Sequence, residues 1–341
     1  MAGKRSEITR ERAQPSAKPH HPSTGRDPTA SFIVCTYNRA EALQTCIRLI
    51  EAACRAHASV TSELVVVDNG STDDTAERLA RIAATSSMTI TPLVEHRRGL
   101  AAARNAGIER SRGHILIFID DDCEIDLHYL RDLERHYANG ERCVVRGGRV
   151  ELGNALDLPF TIKRSPHRAR FTPDVHPGGF VLGCNMTMHR EVAMQVGRFD
   201  ERFGAGSALQ SAEDTDYLVR AFQLGIPIEY VPDMTVLHNH GRSTREAIEG
   251  LHRSYSLGNG GLCLKHLFTA PWLLRHFCWT CRSAWWELWG GSRFDPEVSL
   301  SHWPIVYMNL LGAIEFARHA VMKLPRSPEP DQIKQATRSL R

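Results

Sequence analysis

Between residues 31 and 119 short apolar runs alternate with stretches whose apolar residues recur at helical spacing, and this alternation restricts the fold more than any other feature. Phe32-Ile33-Val34-Cys35 reads as a buried strand, and Leu43, Cys46, Ile47, Ile50, Ala53 and Cys54 then mark one face of a helix. The unit repeats as strand 64–67 and a helix from Thr75, strand 88–94 and helix 100–108, then strand 115–119. Strands joined by crossover helices run parallel, and strands apolar on both faces must be covered on both. The expected architecture is α/β, with a mostly parallel, Rossmann-like central sheet flanked by helices.

In such sheets ligands bind beyond the carboxyl ends of the strands, and here all four ends are polar. They read Thr36-Tyr37-Asn38-Arg39, Asp68-Asn69-Gly70-Ser71, Glu95-His96-Arg97-Arg98 and Asp120-Asp121-Asp122. Further strands are expected at 143–150, at 178–185, and as two short pieces at 228–231 and 235–237 before His238. A helix from about Ala212 carries Asp214 and Asp216 in its first turn and stops at Gly225.

Beyond residue 244 the texture changes, and all six Trp fall there. Trp272, Trp279 and Trp286 sit seven apart, on one helical stripe with Arg275 and Arg282 beside it. This is either a helical subdomain packing its own core or an interfacial helix for membrane or a lipid-linked substrate. The expected organisation is a tail over 1–28, a main domain over 29–245 with halves 29–123 and 124–245, a helical Trp-rich extension over 246–325, and a tail over 326–341.

Several function classes drop out. Lys plus Arg number 42 against 39 acids, for a net charge of +3, which is no blanket nucleic-acid charge, and no nucleic-acid partner is expected. Cys278 and Cys281 form the one CxxC pair and lack the second pair of a zinc ribbon. The first 30 residues contain no apolar signal-peptide core and no run reaches about 18 apolar residues, so a cytoplasmic protein is expected, with peripheral membrane contact through 262–323. No Gly-rich loop follows the first strand, which argues against a nicotinamide enzyme and against a nucleotidyl transferase.

The triple aspartate is the strongest chemical signal. Along an extended strand, residues two apart share a direction, so Asp120 and Asp122 aim into one site while Asp121 faces elsewhere. Their hard oxygens suit Mg²⁺ or Mn²⁺. An EF-hand is excluded, because Ile125 stands where that loop needs Gly and Arg131 where it needs Glu. Tyr37 could stack on a base or merely cover the sheet end. Arg104 and Asn105 follow Gly99 on a helix, where a guanidinium could meet a phosphate or face solvent.

The ordered series CTYNR (35–39), VVVDNGSTDDT (65–75), GLAAARNAGI (99–108), FIDDD (118–122), GRFDERFG (197–204), AEDTDYLVR (212–220) and VLHNHGRS (236–243) resembles the family 2 glycosyltransferases of the GT-A fold. The likeness covers residues 30–245. It implies that Thr36, Tyr37, Arg39 and Asp68 line a nucleoside pocket, with Arg104, Asn105 and Asp121 counted among the nucleotide-sugar contacts. Asp120 would meet the ribose or the metal, and Asp122 would ligate the metal. Glu213 and Asp214 match the ED pair, with Asp214 as catalytic base, and His238 matches a metal or diphosphate contact for which His240 competes. The implied reaction is an inverting, Mn²⁺- or Mg²⁺-assisted transfer of one sugar from a nucleotide-diphosphate sugar to an acceptor hydroxyl on a glycan, lipid-linked or small molecule. No QxxRW-like segment follows the ED region, which favours single transfer over chain synthesis. Two alternatives stay open: a nucleotidyl transferase of similar architecture, and an inactive binding homologue.

Overall fold

The computed structural model describes residues 27–295 and 300–322. Apart from residues 27 and 28, the expected tails over 1–28 and 326–341 lie outside the described residues, as do 296–299 and 323–325 of the Trp-rich segment.

The parallel half of the sheet is built as the alternation requires. β1 (Ala30–Thr36), α1 (Ala40–Ala56), β2 (Ser62–Asp68), α2 (Thr75–Thr85), β3 (Thr89–Val94), α3 (Leu100–Arg110) and β4 (Ile115–Asp120) follow one another. The four strands pair in parallel, with Ala30 level with Ser62 on one side and Ile115 on the other. Next come β5 (Cys123–Ile125), α4 (Tyr129–Tyr137), β6 (Val145–Leu152), β7 (Ala169–Arg170), β8 (Asn185–His189), α5 (Arg190–Val196), α6 (Glu213–Gln223) and β9 (Ile228–His238). The C-terminal helices are α7 (Arg245–Lys265), α8 (Leu274–Glu287) and α9 (His302–Met322).

One sheet runs β3-β2-β1-β4-β8-β6-β9-β5, with β7 also on β9. Its second half is mixed: β8 is antiparallel to β4 and to β6, while β9 runs parallel to β6. Two sequence expectations change here. The run 178–185 is a loop that becomes strand only at Asn185, and the two short pieces at 228–238 are one strand interrupted by a bulge at Pro232-Asp233-Met234. The internal Pro232 mimics a strand boundary without breaking β9, whereas the glycines at 178, 179 and 183 keep the apolar run before Asn185 out of the sheet.

Alternate residues of the central strands enter separate cores. Phe32, Val34, Ile117 and Ile119 pack with α1 and α4, whereas Ile33, Leu116 and Phe118 pack with β8, α5 and α6. Each fully buried side chain of this size contributes about 1.5–3 kcal/mol. Because β6 and β9 run in the same direction as β4, the end of β9 at His238 reaches the same rim as Asp120, and Cys123 pairs with His238 directly. The start of antiparallel β8 reaches that rim as well, with Asn185 opposite Ile119.

Candidate active site

The rim encloses a cavity of about 780 Å³, within the range of small-molecule sites. Thr36, Tyr37 and Arg39 reach it from β1 and the turn after it, the three aspartates from the end of β4 and the turn after it, Arg104 from α3, Glu213 and Asp214 from α6, and His238 from β9. All these expected residues are therefore brought together. Asp68, Asn105 and His240 are not on the wall.

Those three residues have local work instead. Asp68 Oδ1 accepts from the Ser71 backbone N–H at 2.8 Å and shapes the turn after β2. Asn105 is buried with its amide donating to Phe199 O and Glu201 Oε1, while its Oδ1 accepts from Phe199 N. The resemblance counts Asn105 among the nucleotide-sugar contacts, but its side chain ties α3 to the loop before α6. His240 Nδ1 accepts from Arg242 N and lies 3.5 Å from Asp157. Of His238 and His240, His238 is thus the one at the cavity.

Asp121 also departs from the strand alternation. β4 ends at Asp120, so Asp121 and Asp122 lie in a turn where the two-residue period no longer applies, and all three carboxylates reach the cavity. Asp121 accepts from Thr36 Oγ1 at 2.7 Å and from Arg39 Nη1 at 3.0 Å. Burial pushes its carboxyl up to about 6 against the pull of Arg39.

The remaining two aspartates separate. Asp122 is 2.5 Å from Arg39 Nη1 and 3.4 Å from His238 Nε2. Burial opposes its ionisation, but His238 and Arg39 outweigh it and hold the carboxyl down at about 2. The same contact overcomes burial at His238 and lifts its imidazole to about 9. Asp120, expected to converge with Asp122 on one ion, lies 3.3 Å from Arg104 Nη2 instead.

Arg104 is buried, not solvent-facing, because its other nitrogen pairs with Glu213 Oε1 at 2.8 Å. One guanidinium thus ties the end of β4 to the first turn of α6. Burial and the neighbouring Asp214 charge push the Glu213 carboxyl up to about 7 against Arg104. Asp214 has no side-chain ion pair among the described residues. Its Oδ2 accepts from Gly183 N at 3.0 Å and its Oδ1 from Thr215 N and Oγ1.

The donors that could hold a cation are Asp122 and His238, which with Cys123 form a cluster whose ligand atoms lie within 4.8 Å of one another. The carboxylate oxygens suit Mn²⁺ or Mg²⁺, while the imidazole, a softer donor, would have to give up its proton to join them. Cys123 is a buried thiol held protonated, first by its hydrogen bond with Cys184 and then by burial, and adds no thiolate.

Sequence reasoning missed Phe160, Thr161, His176, Gly183, Arg242 and Tyr255, all on the wall. The Gly178-Gly179 and Gly183 cluster was the available signal, since glycines inside an apolar run mark close backbone approach. The four non-glycine residues with left-handed φ among the described residues, Asn38, Thr161, Gln210 and Ala212, all line the cavity or adjoin its wall residues. Local strain of this kind gathers where surrounding structure imposes a geometry.

The family model described as glycosyl transferase family 2 matches residues 31–197. Glycosyltransferase AglE of Haloferax volcanii is 29% identical over 242 residues, covering 68% of this chain and 73% of that protein. An undecaprenyl-phosphate 4-deoxy-4-formamido-L-arabinose transferase of Pseudomonas savastanoi is 36% identical over 95 residues, 28% of each chain. Among solved structures, a mannosyltransferase of Pyrobaculum calidifontis in complex with GDP-Man and Mn²⁺ superposes with a TM-score of 0.53 and 18% identity, covering 92% of this chain and 80% of that one.

Proposed function

The chain belongs to the family 2 glycosyltransferases, with their GT-A fold, and from that premise we propose that it moves one sugar from a nucleotide-diphosphate sugar to an acceptor hydroxyl with inversion, Asp214 acting as general base. The observation that carries this reading is the state of Asp214. It is the one carboxylate of the cavity that backbone and hydroxyl donors orient without an arginine engaging it, leaving an Oδ2 lone pair for a substrate proton.

Each residue then has a physical task. Asp122 and His238 would hold a divalent cation, which supplies a Lewis acid for the charge developing on the leaving diphosphate. Tyr37, with Arg98 4.7 Å above its ring, forms the nucleoside end beside Thr36 and Arg39. Asp120 keeps a third of its side chain exposed and can accept a ribose hydroxyl. The Arg104 bridge fixes Glu213, and with it the first turn of α6 that presents Asp214. As the acceptor oxygen attacks the sugar, Asp214 takes its proton, and attack opposite the leaving group inverts the anomeric centre.

The domain plan that accompanies this reading is a glycosyltransferase unit over 29–245 with a nucleotide-sugar half, 29–123, and an acceptor half, 124–245. Support for membrane contact comes from α8 and the segment after it, where Trp285, Trp286 and Trp289 are exposed. Trp272 leaves the expected stripe: it lies in a short turn before α8 and packs on Phe171 and Phe222. No helix among the described residues is long and apolar enough to cross a membrane, and the reading places the enzyme peripherally at the cytoplasmic face.

The test is a panel of UDP, GDP and dTDP sugars with Mn²⁺, scored for binding and turnover in the wild type and in Asp214→Asn. The variant is expected to bind nucleotide as the wild type does and to lose transfer by at least about a thousandfold, in the range of a removed general base. Retained turnover removes the base assignment. An absence of nucleotide binding by the wild type removes the donor.

A further inference from the structure

Four arginines line the cavity, and three of them have partners. Arg39 is engaged by Asp121 and Asp122, Arg104 by Asp120 and Glu213, and Arg98 lies over the Tyr37 ring. The Arg242 guanidinium has no carboxylate, ring or carbonyl partner among the described residues. Its backbone alone is tied down, with Arg242 O accepting from Leu158 N and Arg242 N donating to His240.

Its position is as informative as its freedom. Arg98, Tyr37 and Asn69 belong to the parallel half of the sheet, where the nucleoside end lies. Arg242 follows β9 at the other half, where the wall is Phe160, Leu251 and Tyr255. Phe160 stacks on Tyr255 with centroids 6.1 Å apart and planes 23° off parallel. The Tyr255 phenol feels both the Asp214 carboxylate and the Arg242 guanidinium, so charge at Arg242 lies in the neighbourhood of the base. A guanidinium lining a cavity without a counter-charge matches a bidentate oxyanion, and phosphate fits that fork best. The same cation offsets the repulsion that five cavity carboxylates would exert on an anionic acceptor.

We propose that Arg242 is a specificity residue which binds a phosphate group of the acceptor, beside the hydroxyl that receives the sugar, against the Phe160 and Tyr255 wall. This rests on the glycosyltransferase reading and narrows its acceptor to a phosphate-bearing class.

The phosphate could instead be the donor's, and the experiment separates the two. UDP and GDP are first titrated into the full chain with Mn²⁺. The saturated complex is then titrated with glycerol 3-phosphate and with glycerol, for the wild type, Arg242→Gln and Arg242→Lys, with thermal midpoints recorded for each. The expected result is that glycerol 3-phosphate binds the wild type at least tenfold tighter than glycerol. Arg242→Gln loses that preference, Arg242→Lys keeps part of it, and neither changes nucleotide affinity by more than twofold or the midpoint by more than a few degrees. A tenfold loss of nucleotide affinity in Arg242→Gln would assign the guanidinium to the donor diphosphate and overturn the proposal. Equal binding of glycerol 3-phosphate by wild type and Arg242→Gln overturns it too. If the wild type binds no nucleotide, the glycosyltransferase reading fails first and takes the proposal with it.

Discussion

Gly183 has no side chain to contribute, yet it sets the position of the proposed base. Its N–H holds Asp214 Oδ2, and a Cβ there would lie 2.7 Å from Arg104 Nη2 and 3.0 Å from Asp214 Oδ2. Gly183→Ala is therefore expected to displace both groups and to lower kcat by about a hundredfold, the scale of an ångström-sized misplacement, with nucleotide affinity little changed. Kinetics with a saturating donor check this, and an unaltered kcat would show that the site tolerates the shift. Arg104 is the other residue on which several groups depend. Arg104→Met leaves the buried Glu213 and the partly exposed Asp120 without their shared cation and should destabilise the fold by about 3–5 kcal/mol, most of it from Glu213, read from denaturant unfolding.

Two contacts fix the C-terminal helices, one between α7 and α9 and one from α7 and the residue after it to the rest of the molecule. The first is glycine packing: a Cβ on Gly260 would meet Asn309 O at 1.8 Å, and one on Gly312 would meet Leu257 O at 1.8 Å. Gly260 on α7 and Gly312 on α9 thus mark a seam where the two helices touch backbone to backbone, while Gly258 faces Ser211 and Gly261 faces Leu209 and Phe203. Gly260→Ala or Gly312→Ala should cost about 1–3 kcal/mol or more, seen as a lower unfolding midpoint. The second clasp is ionic. Lys265 Nζ lies 2.7 Å from Asp200 and 2.6 Å from buried Asp216, which also meets His266 at 2.9 Å. Burial opposes ionisation of both acids, but Arg202 and Lys265 at Asp200, and His266, Lys265 and Arg220 at Asp216, outweigh it and hold both carboxyls below their usual range. Stability from such groups is present above the unfolded carboxylate value of about 3.9 and is lost as pH falls through the lowered folded values. The unfolding midpoint should drop steeply below about pH 4, and Lys265→Met should lower it already at pH 7 and flatten the acid limb.

At the scale of the molecule, α7 supplies Leu251, Tyr255 and Asn259 to the cavity, so its helix is part of the wall that the acceptor would meet. Removing the chain beyond residue 262 would strip Asp216 of Lys265 and His266, and point substitutions are the sounder probe of membrane contact. Trp285, Trp286 and Trp289, the last at 74% exposure, are large apolar side chains open to solvent at the end of α8 and just beyond it, and water alone does not favour such exposure. Flotation with vesicles containing anionic lipid should carry the wild type and leave a Trp285→Ser, Trp286→Ser, Trp289→Ser variant in solution with its nucleotide binding intact. Equal flotation of the two proteins would dismiss this face as the contact.

The alternation of strand and helix up to Asp120 was legible because period and polarity are local properties: Phe32 and Val34 on one face and Ile33 on the other need only a pleated strand with helices on both sides. The polar strand ends were legible for the same reason, and so were Asp122, Asp214 and His238 as residues of one site. Which partners they take was not. Arg104 between Asp120 and Glu213, Asp121 turned inward beyond the last strand residue, Asn105 engaged by Phe199, and Arg242 left unpaired are outcomes of distances between segments about 15 to 110 residues apart. Local pattern encodes which face of an element is apolar. It does not encode where β8 reverses direction and brings Gly183 against the first turn of α6, because that position follows from how the two halves of the sheet pack.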